Sequence, residues 1–155
     1  MTLNEVELKF QEWLDSRNYG YLFIEQSPET YASLFRNITA KRPDFLIILP
    51  SIGLIAVDIK YGQMNENYED FILDEKKELM KYASFERLFK IPIWLAYSNE
   101  GCRYRTWYWI SLSEIQEKVP TKISGKSHEP FKAINIKDCI TIGWNDNLSR
   151  LFLKR

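Results

Sequence analysis

The chain has 155 residues, of which 45% are hydrophobic, and its 21 lysine and arginine residues balance 21 aspartate and glutamate residues. This composition allows one domain with a sizeable core, and its neutral charge lacks the basic footprint that phosphate-backbone binding usually leaves. A single histidine, His128, and two cysteines, Cys102 and Cys139, argue against histidine-based catalysis, a zinc site and a disulfide framework.

The first predicted element is an amphipathic helix over residues 3–17. Its apolar side chains recur at helical spacing, at Leu3, Val6, Phe10, Trp13 and Leu14. Glu5 and Glu12 fall on the opposite, solvated face. Glu7 lies at the border of the buried face, which leaves two interpretations open: a long side chain that reaches past the core to water, or a functional carboxylate.

The next segments precede the most informative part of the chain. Residues 21–25 are aromatic and β-branched, which favours a strand, and residues 29–37 favour a short helix. Three basic residues follow in this region: Arg36, Lys41 and Arg42. They are candidates for phosphate contacts, and solvated loop charges are the alternative interpretation.

Two apolar runs, at residues 45–49 and 54–57, predict a hairpin of buried strands. Between them, Pro50-Ser51-Ile52-Gly53 has the composition of a turn. Such a hairpin would bring the start of the first strand beside the end of the second.

Charged residues stand at both of these places. Asp44 comes directly before the first run, and Asp58 and Lys60 follow the second. Side chains alternate along a strand, so Asp58 and Lys60 share one face, and the carbonyl of Ile59 lies between them. We therefore predict a compact cluster of Asp44, Asp58 and Lys60, which is costly to build for stability alone.

The elements after the cluster are a loop, a helix and a strand. Residues 61–68 are polar and predict a flap at the mouth of the cluster, and residues 93–97 predict a buried strand. The helix opens at Asp74-Glu75 and ends near Lys90, with acids in its first turn. Leu79, Met80, Ala83 and Leu88 are predicted to form its apolar side, and Lys77 and Lys81 share a face one turn apart.

The C-terminal third predicts further short elements. These are a strand at residues 104–110, a helix at 111–118, a loop at 120–130, strands at 133–136 and 139–144, and a terminal helix at 147–153. An exposed aromatic patch in this third is the basis of one alternative, an unrelated interaction module. Its candidate residues are Tyr104, Trp107, Tyr108 and Trp109.

Pro43-Asp44 followed by Asp58-Ile59-Lys60 resembles the motif of the PD-(D/E)xK nuclease superfamily, which includes restriction endonucleases and archaeal-type Holliday junction resolvases. The resemblance covers about residues 1–97. It implies an α/β, restriction-endonuclease-like core of order αβββαβ, with a mixed central sheet flanked by helices. Residues 98–155 would add C-terminal strands, within a single domain that spans residues 1–155.

The same resemblance implies an activity and assigns roles to residues. The expected protein is a metal-dependent nuclease that hydrolyses phosphodiester bonds, a DNA endonuclease, with Mg²⁺ or Mn²⁺ as its cofactor. Asp44, Asp58, Glu7 and the Ile59 carbonyl would hold the metal, and Lys60 would assist the chemistry. Nucleic-acid contacts are expected from five basic residues: Arg36, Lys41, Arg42, Lys77 and Lys81.

The zero net charge limits the affinity for DNA that the chain is expected to have on its own. It favours a nuclease of modest intrinsic DNA affinity, or one that is helped by homodimerisation or by a helper protein. The second hypothesis is a catalytically inactive nuclease-fold module that binds nucleic acid or a protein. The sequence has no apolar segment typical of a signal peptide or of a membrane span, so we expect a cytoplasmic protein without a membrane partner.

Overall fold

The computed structural model describes residues 4–30, 32–36, 40–62 and 70–153. Leu3 and residues 63–68 of the predicted flap lie outside the described residues, as does the side chain of Arg36. Within these ranges, none of the helices combines the length and the apolar character that crossing a bilayer requires.

Helices and strands are interspersed along the chain, and a π-helical turn at Glu75–Leu79 leads into the third helix. The helices are α1 (Glu5–Ser16), α2 (Ser33–Arg36), α3 (Met80–Phe89) and α4 (Leu112–Lys118). The strands are β1 (Gly20–Phe23), β2 (Phe45–Leu49), β3 (Gly53–Tyr61), β4 (Asp70–Asp74), β5 (Ile93–Ser98), β6 (Thr106–Ser111), β7 (Lys122–Ile123), β8 (Pro130–Asn135) and β9 (Ile140–Gly143).

A mixed six-stranded sheet, in the order β1-β2-β3-β5-β6-β9, forms the centre of the molecule. The predicted hairpin is confirmed, because Phe45 pairs with Val57 and Leu49 with Gly53 in antiparallel register. β3 and β5 are parallel, and the connection between them carries β4, the π-helical turn and α3. The mixed sheet and flanking helices agree with the predicted fold class.

One face of the central sheet is covered by α1, whose predicted apolar stripe is buried. Phe10 packs between Trp107 and Trp109, with ring centroids 5.6 and 5.8 Å away. The predicted exposed aromatic patch is therefore wrong: Tyr104, Trp107 and Trp109 are buried, and Tyr108 is partly buried. The reason is that β6 is an interior strand, paired with β5 and β9, beneath a helix.

The other face packs against α3, α4 and a small sheet of order β4-β8-β7. Leu79 is buried as predicted, but Met80 is 57% exposed and Leu88 is exposed, while Tyr82 and Phe85 fill the interface instead. The π-helical turn explains this difference. Its i→i+5 hydrogen bonds add about one residue to the turn. The side chains of α3 therefore point in directions that differ from those of a regular α-helix that starts at Glu75.

The C-terminal third follows the prediction closely. Ser111 caps α4 by accepting a hydrogen bond from the Glu114 N–H, and the two predicted strands after residue 130 are β8 and β9. The predicted terminal helix is a 3₁₀ turn at Leu148–Phe152. β4 and β7 were not predicted: β7 lies within the predicted loop at residues 120–130, and β4 pairs with β8, more than fifty residues further along the chain.

Candidate active site at one edge of the central sheet

Asp44 is fixed at the mouth of the hairpin by both strands. Its N–H donates to the Val57 carbonyl at 3.0 Å, and its Oδ2 accepts a hydrogen bond from the Ile59 N–H at 2.8 Å. The N–H and C=O groups of one strand residue project toward the same side, so the Ile59 carbonyl faces the side on which Asp44 lies. The Asp44 carboxylate and the Ile59 carbonyl thus lie close together where β2 begins.

Asp58 and Lys60 project from β3 on the face that packs against α3. Asp58 is only 3% exposed, and the hydroxyl of Tyr82 donates a hydrogen bond to its Oδ2. Lys60 Nζ lies 3.4 Å from the same oxygen. The structure therefore brings together Asp44, Asp58 and Lys60, as the alternation along β3 predicts.

A second carboxylate, from Glu78, completes the surroundings of Lys60. Lys60 Nζ lies 2.5 Å from Glu78 Oε1, and Glu78 Oε2 accepts a hydrogen bond from the Asp74 N–H at 3.1 Å. Lys41 Nζ is 3.7 Å from Glu78 Oε1 and 3.9 Å from Asp58 Oδ2. Both ammonium groups also lie near the Tyr82 ring, 5.1 and 5.3 Å from its centroid.

The carboxylates repel one another, and this repulsion alters their protonation. Burial, and then the charge of Asp58, raises the pKa of Asp44 to about 8. The same two causes raise the pKa of Glu7, which Asn4 holds through a 2.6 Å hydrogen bond. Glu7 therefore lies within electrostatic reach of Asp58, at the N-terminal end of α1.

The pKa values of Lys60 and Glu78 are shifted in directions opposite to those that burial alone would give. Burial lowers the pKa of Lys60, but the nearby Asp58 and Glu78 outweigh it and raise that pKa above its ordinary value. Burial likewise raises the pKa of Glu78, but Lys60 outweighs it and holds that pKa below the ordinary value. At neutral pH the pair is an ammonium and a carboxylate.

The donor set suits a hard divalent cation. In the part of the chain that the structure describes, no three His, Cys, Asp or Glu side chains stand where they would together hold a metal ion. Asp44 and Asp58 nevertheless supply two oxygen donors, with the Ile59 carbonyl as a third, and their mutual repulsion raises the pKa of Asp44. A bound cation would relieve that repulsion.

The predicted nucleic-acid contacts are scattered. Lys41 joins the site, but Arg42 binds the turn before α2, where its Nη1 donates to Thr30 Oγ1 and its Nη2 to the Ser27 carbonyl, both at 2.8 Å. Lys77 is exposed on the π-helical turn. Lys81 lies on α3, and its carbonyl accepts a hydrogen bond from the Lys41 N–H at 3.3 Å.

Two residues of the site were missed by sequence analysis, Glu78 and Tyr82. They lie four residues apart, on the helical segment that follows β4, between the strand of Asp58 and Lys60 and β5. An acid and a tyrosine at that spacing share one helix face, and this was the available signal.

Comparisons with known proteins address the fold. Neither a protein-family model nor a curated protein sequence matches this chain. Among solved structures, it is similar to Hjc of Archaeoglobus fulgidus, described as a Holliday junction resolvase from an archaeal hyperthermophile. The TM-score is 0.56, the sequence identity is 11%, and the match covers 88% of this chain and 88% of that one. This similarity shows the fold, and it agrees with the α/β fold that the resemblance of the Pro43-Asp44 and Asp58-Ile59-Lys60 motif predicted.

Proposed function

We propose that this chain is a Mg²⁺-dependent nuclease that hydrolyses phosphodiester bonds in DNA. One observation carries the proposal: a buried Asp58, a neighbouring Asp44 and the Lys60 ammonium, 3.4 Å from Asp58, meet at one edge of the sheet. The similarity to the fold of Hjc adds support, because that protein is described as a resolvase of DNA junctions.

Asp44, Asp58 and the Ile59 carbonyl, with Glu7 at the margin, would hold Mg²⁺ or Mn²⁺. When bound, the ion lowers the pKa of a coordinated water and offsets charge on the phosphate. Tyr82 orients Asp58 by donating a hydrogen bond to Oδ2, and the Ile59 N–H orients Asp44. Hydrogen bonds of this kind fix the direction in which ligand oxygens point.

Lys60 acts as a cation in this proposal. Its raised pKa keeps it protonated at neutral pH, so it is suited to holding the attacking water and stabilising negative charge on the phosphate. The role of a neutral base does not suit it. Lys41, 3.9 Å from Asp58, adds a second positive charge on the same side.

DNA contacts are proposed for Lys41 within the site, and for Arg36, Arg42, Lys77 and Lys81 beyond it. Their number is modest in a chain with no net charge, so the affinity for DNA depends on where the cations lie. A homodimer or a helper protein would extend the contacted length of DNA and add to this affinity.

The test is cleavage of four DNA forms: supercoiled, linear duplex, single-stranded and branched. Each is incubated with the unmodified chain, with Asp58→Ala and with Asp138→Ala, in Mg²⁺, in Mn²⁺ and in chelator. Asp138 is an exposed acid at the 3₁₀ turn Ile136–Asp138 and serves as the matched control. Metal-dependent cleavage that is lost only in Asp58→Ala supports the proposal, whereas no cleavage of any form, or equal cleavage by all three proteins, contradicts it.

A further inference from the structure

A cleft of about 440 Å³ opens between α1 and the segment that joins β5 to β6. We call it the arginine cleft, because Arg103 and Arg105 form one of its walls. Trp144 lines it beside Arg105, and Lys9, Glu5 and Glu12 line it from α1. Three cationic side chains thus face two acidic ones in a chain whose net charge is zero.

The arginine cleft lies at the same strand ends of the central sheet as the candidate active site, on the face that α1 covers, whereas Asp58 and Lys60 project from the other face. Lys60 is opposite Tyr97 in β5, and Tyr97 is opposite Tyr108 in β6, so Tyr108 is level with Lys60 two strands away. Arg105 precedes Tyr108 by three residues, beyond the start of β6. With about 4.8 Å between neighbouring strands and about 3.3 Å per residue along them, the backbone of Arg105 is about 14 Å from that of Lys60.

The two arginines have no acidic partner among the described residues, since no ion pair joins either guanidinium to a carboxylate there. Both side chains are exposed. Within the cleft, Glu12 Oε2 forms an ion pair with Lys9 Nζ at 3.4 Å. The guanidinium groups are therefore available to an anion from outside the chain.

The Arg105 guanidinium and the backbone that carries both arginines are held in place before any ligand arrives. The Arg105 guanidinium lies 4.6 Å from the centroid of the Trp144 ring, in a cation–π contact. Arg103 and Tyr104 both have left-handed backbone, with φ of 53° and 52°. The Tyr104 N–H donates to the Asn99 carbonyl at 3.2 Å and the Arg105 N–H to the Cys102 carbonyl at 3.0 Å, so the turn is closed by hydrogen bonds. Ordering of this kind reduces the entropy lost on binding.

We propose that the arginine cleft binds the phosphodiester backbone of the DNA strand that enters the active site. This inference rests on the proposed nuclease function. Guanidinium groups match phosphate oxygens in geometry and charge. One strand of duplex DNA advances about 3.4 Å per phosphate, so a displacement of about 14 Å places Arg105 about four nucleotides from a phosphate that contacts Lys60.

The experiment measures DNA binding in chelator, so that no strand is cut, as a function of salt concentration. The full chain is compared with Arg103→Ala/Arg105→Ala, with Arg103→Lys/Arg105→Lys and with Arg87→Ala/Lys90→Ala. The last variant, the opposite-edge control, removes two exposed cations from the opposite strand ends of the sheet, since Arg87 and Lys90 lie at the end of α3, just before β5 begins at Ile93. Circular dichroism establishes whether each variant is folded. The lysine variant keeps both positive charges and serves as a second comparison if the alanine variant does not fold.

The expected result is that the slope of log K against log salt becomes shallower by about 2 in the double alanine variant, about 0.9 for each lost phosphate contact. The slope is retained in the lysine variant and in the opposite-edge control. An unchanged slope in the alanine variant, with DNA still bound and cleaved by the unmodified chain, overturns this inference and leaves the proposed function intact. A shallower slope that the opposite-edge control reproduces overturns it too. If the unmodified chain neither binds nor cleaves DNA, both proposals fail.

Discussion

The Lys60 ammonium lies 2.5 Å from the Glu78 carboxylate, closer than the 3.4 Å that separates it from Asp58. Among the residues that the structure describes, Glu78 is therefore the nearest counter-ion of Lys60. A phosphate that approaches Lys60 meets a cation that is already partly neutralised, and Glu78 opposes the phosphate by its own charge.

Glu78→Gln is expected to strengthen DNA binding in chelator by about 1 kcal/mol, or about fivefold at low salt, because it removes one negative charge beside Lys60 and Lys41. The same substitution should lower the pKa of Lys60, since Glu78 is one of the groups that raise it. Fluorescence anisotropy and an NMR titration of the lysine side chains measure the two effects.

Glu75→Gln is the matched control for this prediction. It changes the net charge equally, but Glu75 accepts a hydrogen bond from Thr121 and forms no ion pair with Lys60 in the described chain. Weaker DNA binding by Glu78→Gln, or the same gain in Glu75→Gln, would show that Glu78 does not neutralise Lys60 specifically.

Tyr82→Phe removes the hydroxyl that orients Asp58, so Tyr82 is a positioning residue in this interpretation. The free energy of unfolding should fall by about 1–3 kcal/mol, because a buried carboxylate loses a donor. Cleavage should fall by about 10–100-fold, with the half-saturating Mg²⁺ concentration rising, as is typical when the partner of a metal ligand is lost. Denaturant titration and Mg²⁺-dependent initial rates measure these effects.

The surface hydroxyl of Tyr21 provides the comparison, because it also donates to an aspartate, Asp15 Oδ1 at 2.9 Å. Tyr21→Phe should change neither the Mg²⁺ dependence nor the cleavage rate. An unaltered Mg²⁺ dependence in Tyr82→Phe would mean that the hydroxyl has only a structural role.

The raised pKa of Asp44 predicts how stability depends on pH in the metal-free chain. The folded state keeps the Asp44 proton up to a pH of about 8, whereas the unfolded chain loses it near the ordinary value of 3.8. The folded state thus binds one more proton between these values, and the free energy of unfolding should fall as pH rises, by up to about 1.4 kcal/mol per pH unit. Urea titrations in chelator between pH 5 and pH 8 measure this slope.

Asp44→Asn should flatten that pH dependence, because the amide does not titrate and its oxygen still accepts from the Ile59 N–H. A slope as steep as that of the unmodified chain would place the proton elsewhere than on Asp44. A free energy of unfolding that rises with pH over this range would indicate that the pKa of Asp44 is lowered in the folded state. That result would contradict the raised pKa expected from burial beside Asp58.

The hairpin and its charged residues could be predicted because they depend on neighbours in the sequence. The strands at residues 45–49 and 53–61 are joined by a three-residue turn, and the register follows from that turn. Once the register is known, alternation alone places Asp58 and Lys60 on one face and beside Asp44.

The remaining features depend on distant contacts or on irregular backbone. The burial of Trp107 and Trp109 requires knowing that β9 pairs with β6 and that α1 covers them. The spacing of Glu78 and Tyr82 indicates that they share a face, but the direction of that face depends on the π-helical turn, and no periodicity in the sequence reveals a wider turn in advance.

The single-turnover rate of Mg²⁺-dependent DNA cleavage by Asp58→Asn tests the central claim most directly. The substitution preserves the shape of the side chain and removes its charge, and Asp138→Asn is the matched control. The rate should fall by about a hundredfold or more in Asp58→Asn, since loss of a partner of a metal ligand alone typically costs 10–100-fold, and it should be unchanged in the control. Cleavage by Asp58→Asn at the rate of the unmodified chain would contradict the assignment of the active site to Asp44, Asp58 and Lys60.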